Sequence, residues 1–247
     1  MKKLIIFFII FIFPCILFSA SLEFDFGIGA GTSIEFSYAD NPYDKKKDRG
    51  ISESGSRTDN GSLLSVFLDI GANFELQNAG ALNSISVLFE TVGTVYMRVR
   101  TRYKEYPQFK HRFTYHNLIL GILPKLNFDY GISLGIGTGI FLPLYSESSK
   151  RENETDNGLP SYGKKFDFKK ISYMYKVPVM PYIKLSLEKN FYMSERWAFK
   201  IGADLLYNFG MEFDLDKWKS DISIYDKYNF SSLAFEVFLG FGFGRPK

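Results

Sequence analysis

The chain has 247 residues, 30 Lys and Arg against 27 Asp and Glu, 18% aromatic residues and one cysteine. The near balance of charge leaves no basic surface for a nucleic acid, and a lone cysteine rules out a disulfide framework. With a mean hydropathy of only −0.08, so many aromatic side chains have to be interleaved with polar ones rather than gathered in apolar runs.

The first segment is the exception. Lys2 and Lys3 precede an unbroken apolar stretch from Leu4 to Phe13, then Pro14 and the small residues Ser19, Ala20 and Ser21. This layout predicts a secretory signal peptide over 1–20, cleaved near Ala20 or Ser21, with the mature domain over 21–247. The run is short for a spanning helix, which needs about 20 apolar residues. Cys15 sits between Pro14 and Ile16, neighbours that suit a lipidation site poorly. Without the leader the mature chain has no cysteine.

From Leu22 to Tyr38 every even position is apolar or small (Leu22, Phe24, Phe26, Ile28, Ala30, Ile34, Phe36) and the odd positions carry Glu23, Asp25, Ser33, Glu35 and glycines. Strict period-2 alternation sets one face in an apolar medium and the other in a polar one, as only a strand can do. The pattern returns in 62–77 (Leu64, Val66, Leu68 and Ile70 opposite Ser65 and Asp69) and in 84–103 (Ile85, Val87 and Phe89 opposite Glu90, Arg98, Arg100 and Arg102). Segment 112–128 is less clean, since Phe113, Tyr115 and Ile119 oppose Leu118, Leu120 and Ile122, and a bulge is expected near His116. Alternation resumes in 131–145, in 171–188 (Ile171, Tyr173, Tyr175, Ile183 and Leu185 opposite Lys176, Lys184 and Glu188), in 196–209 (opposite Lys200 and Asp204) and in 230–244 (Phe235, Val237, Leu239, Phe241 and Phe243 opposite Glu236).

Eight such segments predict an all-β fold, an eight-stranded antiparallel up-and-down barrel. Its connections alternate. Stretches 39–61, 146–170 and 210–229 are long and charged and 104–110 is medium, whereas 78–82, 127–130 and 189–195 are short. Long extracellular loops opposite short periplasmic turns are the asymmetry of a transmembrane barrel. Most segments also exceed the 9–11 residues needed to span a bilayer. Aromatics collect near the strand ends: Tyr38, Tyr103, Phe113, Tyr115, Tyr145, Tyr173, Tyr207 and Phe209 toward the long loops, Phe24, Phe26, Phe74, Phe128, Tyr130, Trp197, Phe241 and Phe243 toward the turns. Two girdles of this kind mark two membrane–water interfaces. A sheet surrounded by lipid has to close, because no backbone group there can pair with water.

Across Leu22 to Gly244 the chain resembles the small outer-membrane barrels of diderm bacteria, the group of outer-membrane proteins A, W and X. The likeness lies in architecture rather than in a signature motif. The closing strand is similar to the signal read by the barrel-assembly machinery, although Arg245, Pro246 and Lys247 follow the last aromatic residue. The resemblance implies an integral protein of the bacterial outer membrane: an adhesin, a structural barrel, or a narrow conduit for small apolar solutes.

No catalytic set emerges. His111 and His116 are five apart and so fall on opposite faces of one segment, and neither has a serine two residues on. No enzyme activity, metal or cofactor is expected. Gly27-Ile28-Gly29-Ala30-Gly31 and Gly135-Ile136-Gly137-Thr138-Gly139 lie inside strands instead of opening helices, so they read as room for bulky lumen neighbours rather than as phosphate loops. The candidate site is the set of inward charges, Asp69, Glu90, Lys200, Asp204 and Glu236 near mid-strand, with Arg98 and Arg100 toward the outer end. Buried charges need partners, so an ion-pair network filling the lumen is expected. The functional expectation is a monomeric outer-membrane scaffold whose loops 39–61, 146–170 and 210–229 offer either variable surface or recognition of an extracellular ligand. The alternative is a narrow channel for small solutes.

Overall fold

The computed structural model describes residues 20–40, 55–76, 80–103, 106–149, 165–212, 214 and 227–244. The expected signal peptide lies outside them except for its last residue. In chain order the strands are β1 (Ser21–Asp40), β2 (Gly55–Glu75), β3 (Leu82–Tyr103), β4 (Tyr106–Phe128), β5 (Ile132–Ser149), the three-residue β6 (Lys165–Asp167), β7 (Met180–Tyr192), β8 (Trp197–Glu212) and β9 (Lys227–Phe243). All but β6 form one antiparallel ring, closed where β1 pairs with β9 and where β4 pairs with β5. The alternation thus produces the closed eight-stranded barrel it predicts.

Register fixes the geometry. Followed from strand to strand, Asp25 pairs with Asp69, then Glu90, Gly121, Gly139, Tyr182, Asn208 and Ser232, and the path returns to β1 at Glu35. The return lies ten residues from the start, so the shear is 10. At about 3.3 Å per residue against about 4.8 Å per strand, that shear tilts the strands by roughly 41°. Such a barrel has an interior just wide enough to be filled by side chains.

The outward face is apolar. Leu22, Phe26, Ile28 and Ile34 on β1, Leu64, Val66, Leu68 and Ile70 on β2, and Leu134 and Ile136 on β5 are all exposed. At this tilt the run from Leu22 to Ile34 covers roughly 30 Å along the barrel axis, the thickness of a bilayer core. Near the turns Phe26, Phe241, Phe199 and Phe191 form a chain of ring contacts across four strands, with centroids 5.7, 5.6 and 6.4 Å apart, and Trp197 sits 5.1 Å from Phe243. Tyr115 departs from the expected girdle: it faces inward, 6.1 Å from Tyr96.

Pairing also runs beyond the apolar belt, since a backbone ladder needs no apolar face. Strand β3 continues to Tyr103 opposite Tyr106, so the expected medium connection at 104–110 is mostly strand. Likewise β1 and β2 extend to Asp40 and from Gly55, β5 extends to Ser149, and β8 and β9 reach Glu212 and begin at Lys227, which shortens the connections read as 39–61, 146–170 and 210–229. What remains of them, 41–54, 150–164 and 213–226 apart from Asp214, lies outside the described residues.

The largest departure is at 171–179, expected as strand. Asp167 accepts a hydrogen bond from the Lys170 backbone N–H at 2.9 Å and caps a short helix, α1 (Phe168–Met174). Alternating Ile171, Tyr173 and Tyr175 contain an i, i+4 pair, and the helical period decides: Ile171 and Tyr175 are buried while Tyr173 is exposed. Pro178 cannot donate a backbone hydrogen bond, and β7 starts only at Met180.

The bulge foreseen near His116 lies on the facing strand. His116 pairs with Tyr145 and Asn117 with Pro143, leaving Leu144 as the extra residue. A second irregularity on β8 separates the Asn208 and Met211 pairings; there Gly210 adopts φ 76°, its N–H donates to Asn208 Oδ1 at 2.8 Å, and Met211 turns inward.

Candidate functional site

The barrel interior is built in tiers. Nearest the turns, Asn73 and Asn127 each donate to both Ser84 and Ser86 at 2.8–3.0 Å, and Ser86 donates to Glu23 at 2.5 Å. These residues face inward from β1, β2, β3 and β4 because the alternation places every second polar side chain in the lumen.

The next tier is a closed quartet. Lys125 on β4 reaches Asp25 on β1 at 2.9 Å and Glu188 on β7 at 2.5 Å; Lys200 on β8 contacts the same two acids, at 3.0 Å from Glu188. Both lysines are 1% exposed, so each must be neutralised in place. Two amines and two carboxylates balance, and each charge touches both of its opposites. Gly242 on β9 makes the bridge sterically feasible: a Cβ there would lie 2.7 Å from Asp25 Oδ1 and 3.2 Å from Lys200 Cδ.

Above the quartet, Lys184 on β7 pairs with Glu90 on β3 and, at 3.4 Å, with Asp204 on β8. Tyr182 donates its hydroxyl to Glu90 at 2.8 Å. Asp69 is the cross-strand neighbour of both Asp25 and Glu90, and Glu236 accepts from Ser65.

An apolar layer follows, in which Leu63, Val92, Ile119, Phe141, Leu206 and Ala234 are buried. Phe67 meets Phe238 edge-on at 5.3 Å and Phe141 meets Tyr182 at 5.5 Å. Inward glycines admit these rings. A Cβ at Gly27 would fall 2.7 Å from Phe67 Cζ, one at Gly202 2.2 Å from Phe238 Cζ, and one at Gly121 2.0 Å from the Tyr182 hydroxyl.

Of the charges singled out in the sequence, Glu90 and Asp204 therefore come together through Lys184, with Asp69 beside them. Lys200 belongs to the lower tier, and Glu236, the cross-strand neighbour of Asp204, accepts from Ser65. The side chains of Arg98 and Arg100 lie outside the described residues. Sequence reasoning passed over Asp25, Lys125, Lys184 and Glu188. Three of these stood on recognised polar faces, and the available signal was that an inward acid without a lysine at its own level has to find one across the lumen. Among the described residues no group of three His, Cys, Asp or Glu side chains is placed to hold a metal ion. His116 rests against Tyr145, with ring centroids 5.5 Å apart.

No family model matches the chain, and no curated protein matches it. Solved structures similar to it include the outer membrane protease OmpT from Escherichia coli, 7% identical over 91% of this chain and 97% of that one, with a TM-score of 0.44. Ail, the attachment invasion locus protein of Yersinia pestis, is 12% identical over 89% and 98%, with a TM-score of 0.34. Neisserial surface protein A is 8% identical over 88% and 97%, with a TM-score of 0.36.

Proposed function

We propose that the protein is an integral barrel of a bacterial outer membrane with a closed lumen, exported by a leader over 1–20 and inserted through its C-terminal strand. Its specific work lies in what its outer segments present to the surroundings. The observation that carries this reading is the filled interior: a neutral four-charge quartet, a second ion-paired tier and an apolar layer stacked along one axis. Ions crossing such a lumen would have to displace buried ion pairs. The continuous apolar belt outside supplies the membrane side of the argument, since a soluble barrel would leave that area in water.

The test is single-channel recording of the refolded mature chain, residues 21–247, in a planar bilayer, with insertion verified independently. A silent bilayer is expected. Discrete, reproducible openings would overturn the closed-lumen reading in favour of a narrow channel. Such a current would be cation-selective, because among the described residues seven buried carboxylates (Glu23, Asp25, Glu35, Asp69, Glu90, Glu188, Asp204) face only three buried lysines.

A further inference from the structure

Toward the loop end the barrel wall changes character between β5 and β8. Strand β7 begins only at Met180, opposite Phe141, whereas β5 continues to Ser149 and β8 to Glu212. Segment 165–179 takes the place that a longer β7 would occupy. On one side β6 pairs with Tyr145–Glu147 of β5. On the other, the Lys176 N–H donates to the Glu212 carbonyl at 3.0 Å and Lys176 Nζ meets the Glu212 carboxylate at 2.7 Å. This patch therefore has an inner and an outer face, like the strands beside it. Phe166, Ile171 and Tyr175 line the cavity inside, while Phe168, Tyr173 and Val177 are 43%, 57% and 59% exposed. Lys165, Lys169, Lys170 and Lys176 are exposed as well. On α1 a step of about 100° per residue sets Lys169 and Tyr173 opposite Ile171, away from the lumen.

Register gives the height of the outer face. Ile34, the top of the exposed apolar run on β1, connects through Leu233 and Tyr207 to Ile183. At the tilt set by the shear, those three steps descend roughly 9 Å, and the three residues from Ile183 back to Met180 climb about 7 Å. The segment leading into Met180 thus stands at the upper edge of the apolar belt, where a bilayer passes from acyl chains to headgroups. Tyrosine suits that level, with its ring among the chains and its hydroxyl among the headgroups. Across 165–177 four lysines stand against one acid, Asp167, whose carboxylate caps α1. A phosphate-bearing lipid offers the matching charge and an apolar chain together, at the height where the belt ends.

We propose that the outer face of 165–177 docks phosphate-bearing lipid headgroups of the loop-side leaflet. Lys169 and Lys170 hold the phosphates, and Tyr173 and Val177 sink to the boundary between headgroups and acyl chains. The inference rests on the membrane reading above and is independent of the closed lumen.

Residues 21–247 contain no cysteine, so a single nitroxide can be attached through Ser172→Cys. The protein is refolded in nanodiscs of phosphatidylcholine with a minority of phosphatidic acid, and the paramagnetic broadening of the two ³¹P resonances is compared. Phosphatidic acid is expected to broaden more than phosphatidylcholine, by about fivefold for each lysine it engages. Lys169→Gln together with Lys170→Gln is expected to abolish the difference; both lysines are exposed, so the fold tolerates the change. A nitroxide on Ile34→Cys, at the belt edge, checks insertion in the same discs. Broadening of both lipids from Ile34 but of neither from Ser172 would overturn this proposal alone and set α1 in water, open to a soluble partner. Broadening of neither lipid from either label would overturn the membrane reading with it. Equal broadening of the two lipids from Ser172, or a preference that survives the double substitution, would also overturn the proposal. So would comparable broadening of inorganic phosphate added to discs of phosphatidylcholine alone, which would mark a site for soluble anions.

Discussion

The most exacting residues in this barrel are the four that close the lower tier. Removing one lysine leaves the buried Asp25 and Glu188 sharing a single amine, and such a change typically costs about 3–5 kcal/mol. Lys200→Met and Lys125→Met are each expected to lower unfolding free energy in lipid vesicles by about 3 kcal/mol. The quadruple change of Asp25→Leu, Lys125→Met, Glu188→Leu and Lys200→Met removes every charge at once and is expected to be nearly neutral. Urea titrations followed by Trp197 fluorescence distinguish these cases, and an additive loss in the quadruple variant would contradict a mutually compensated quartet. Gly242→Val is expected to damage the same tier from the opposite side, because its side chain would occupy the space between Asp25 and Lys200. Period-2 alternation placed Lys200 and Asp25 on the inward face, but which lysine meets which acid depends on a shear of 10, and no local pattern encodes that offset. The apolar layer was hidden for a related reason. Leu63, Phe67, Val92, Ile119 and Phe238 stand on the face that the charges define as polar, and only the narrowness of the lumen makes them neighbours.

At the scale of elements, the strands were legible because a lipid-facing side tolerates almost no charge, which keeps the alternation clean from Leu22 to Ile34 and from Leu64 to Ile70. Their ends were not. Beyond the belt the ladder continues through residues of any polarity, as in the Tyr103–Tyr106 pairing. Segment 171–179 departs from the expected strand because its alternation also contains a helical i, i+4 pair, and the deciding features are the Asp167 cap and Pro178. Asp167→Ala should therefore loosen α1 alone, by about 1 kcal/mol. Limited proteolysis is expected to cut faster within 165–179 while the barrel keeps its heat-sensitive gel mobility; loss of that mobility would mean α1 supports the barrel itself. Gly210→Ala strains a left-handed position by about 1 kcal/mol and should disturb the Met211 methyl environment before it disturbs the barrel.

For the whole molecule the decisive physical feature is inversion: charges paired within, aliphatic and aromatic side chains without. The interior tiers cross-link the strands from within, and the outer belt suits the ring to apolar surroundings. Val66 tests this directly, since it is 63% exposed and pairs with Ile28 and Gly93 at mid-strand. In a soluble barrel an arginine at such an exposed position would change stability by no more than about 0.5 kcal/mol. At the middle of a bilayer the same substitution costs about 2–4 kcal/mol, falling to about 0–1 near the interface. The measurement that bears most directly on the account is the unfolding free energy of Val66→Arg and Leu22→Arg in phospholipid vesicles. A loss of about 2–4 kcal/mol at Val66 with little change at Leu22 is the predicted depth profile, and equal, negligible effects at both positions would contradict a barrel that spans a membrane.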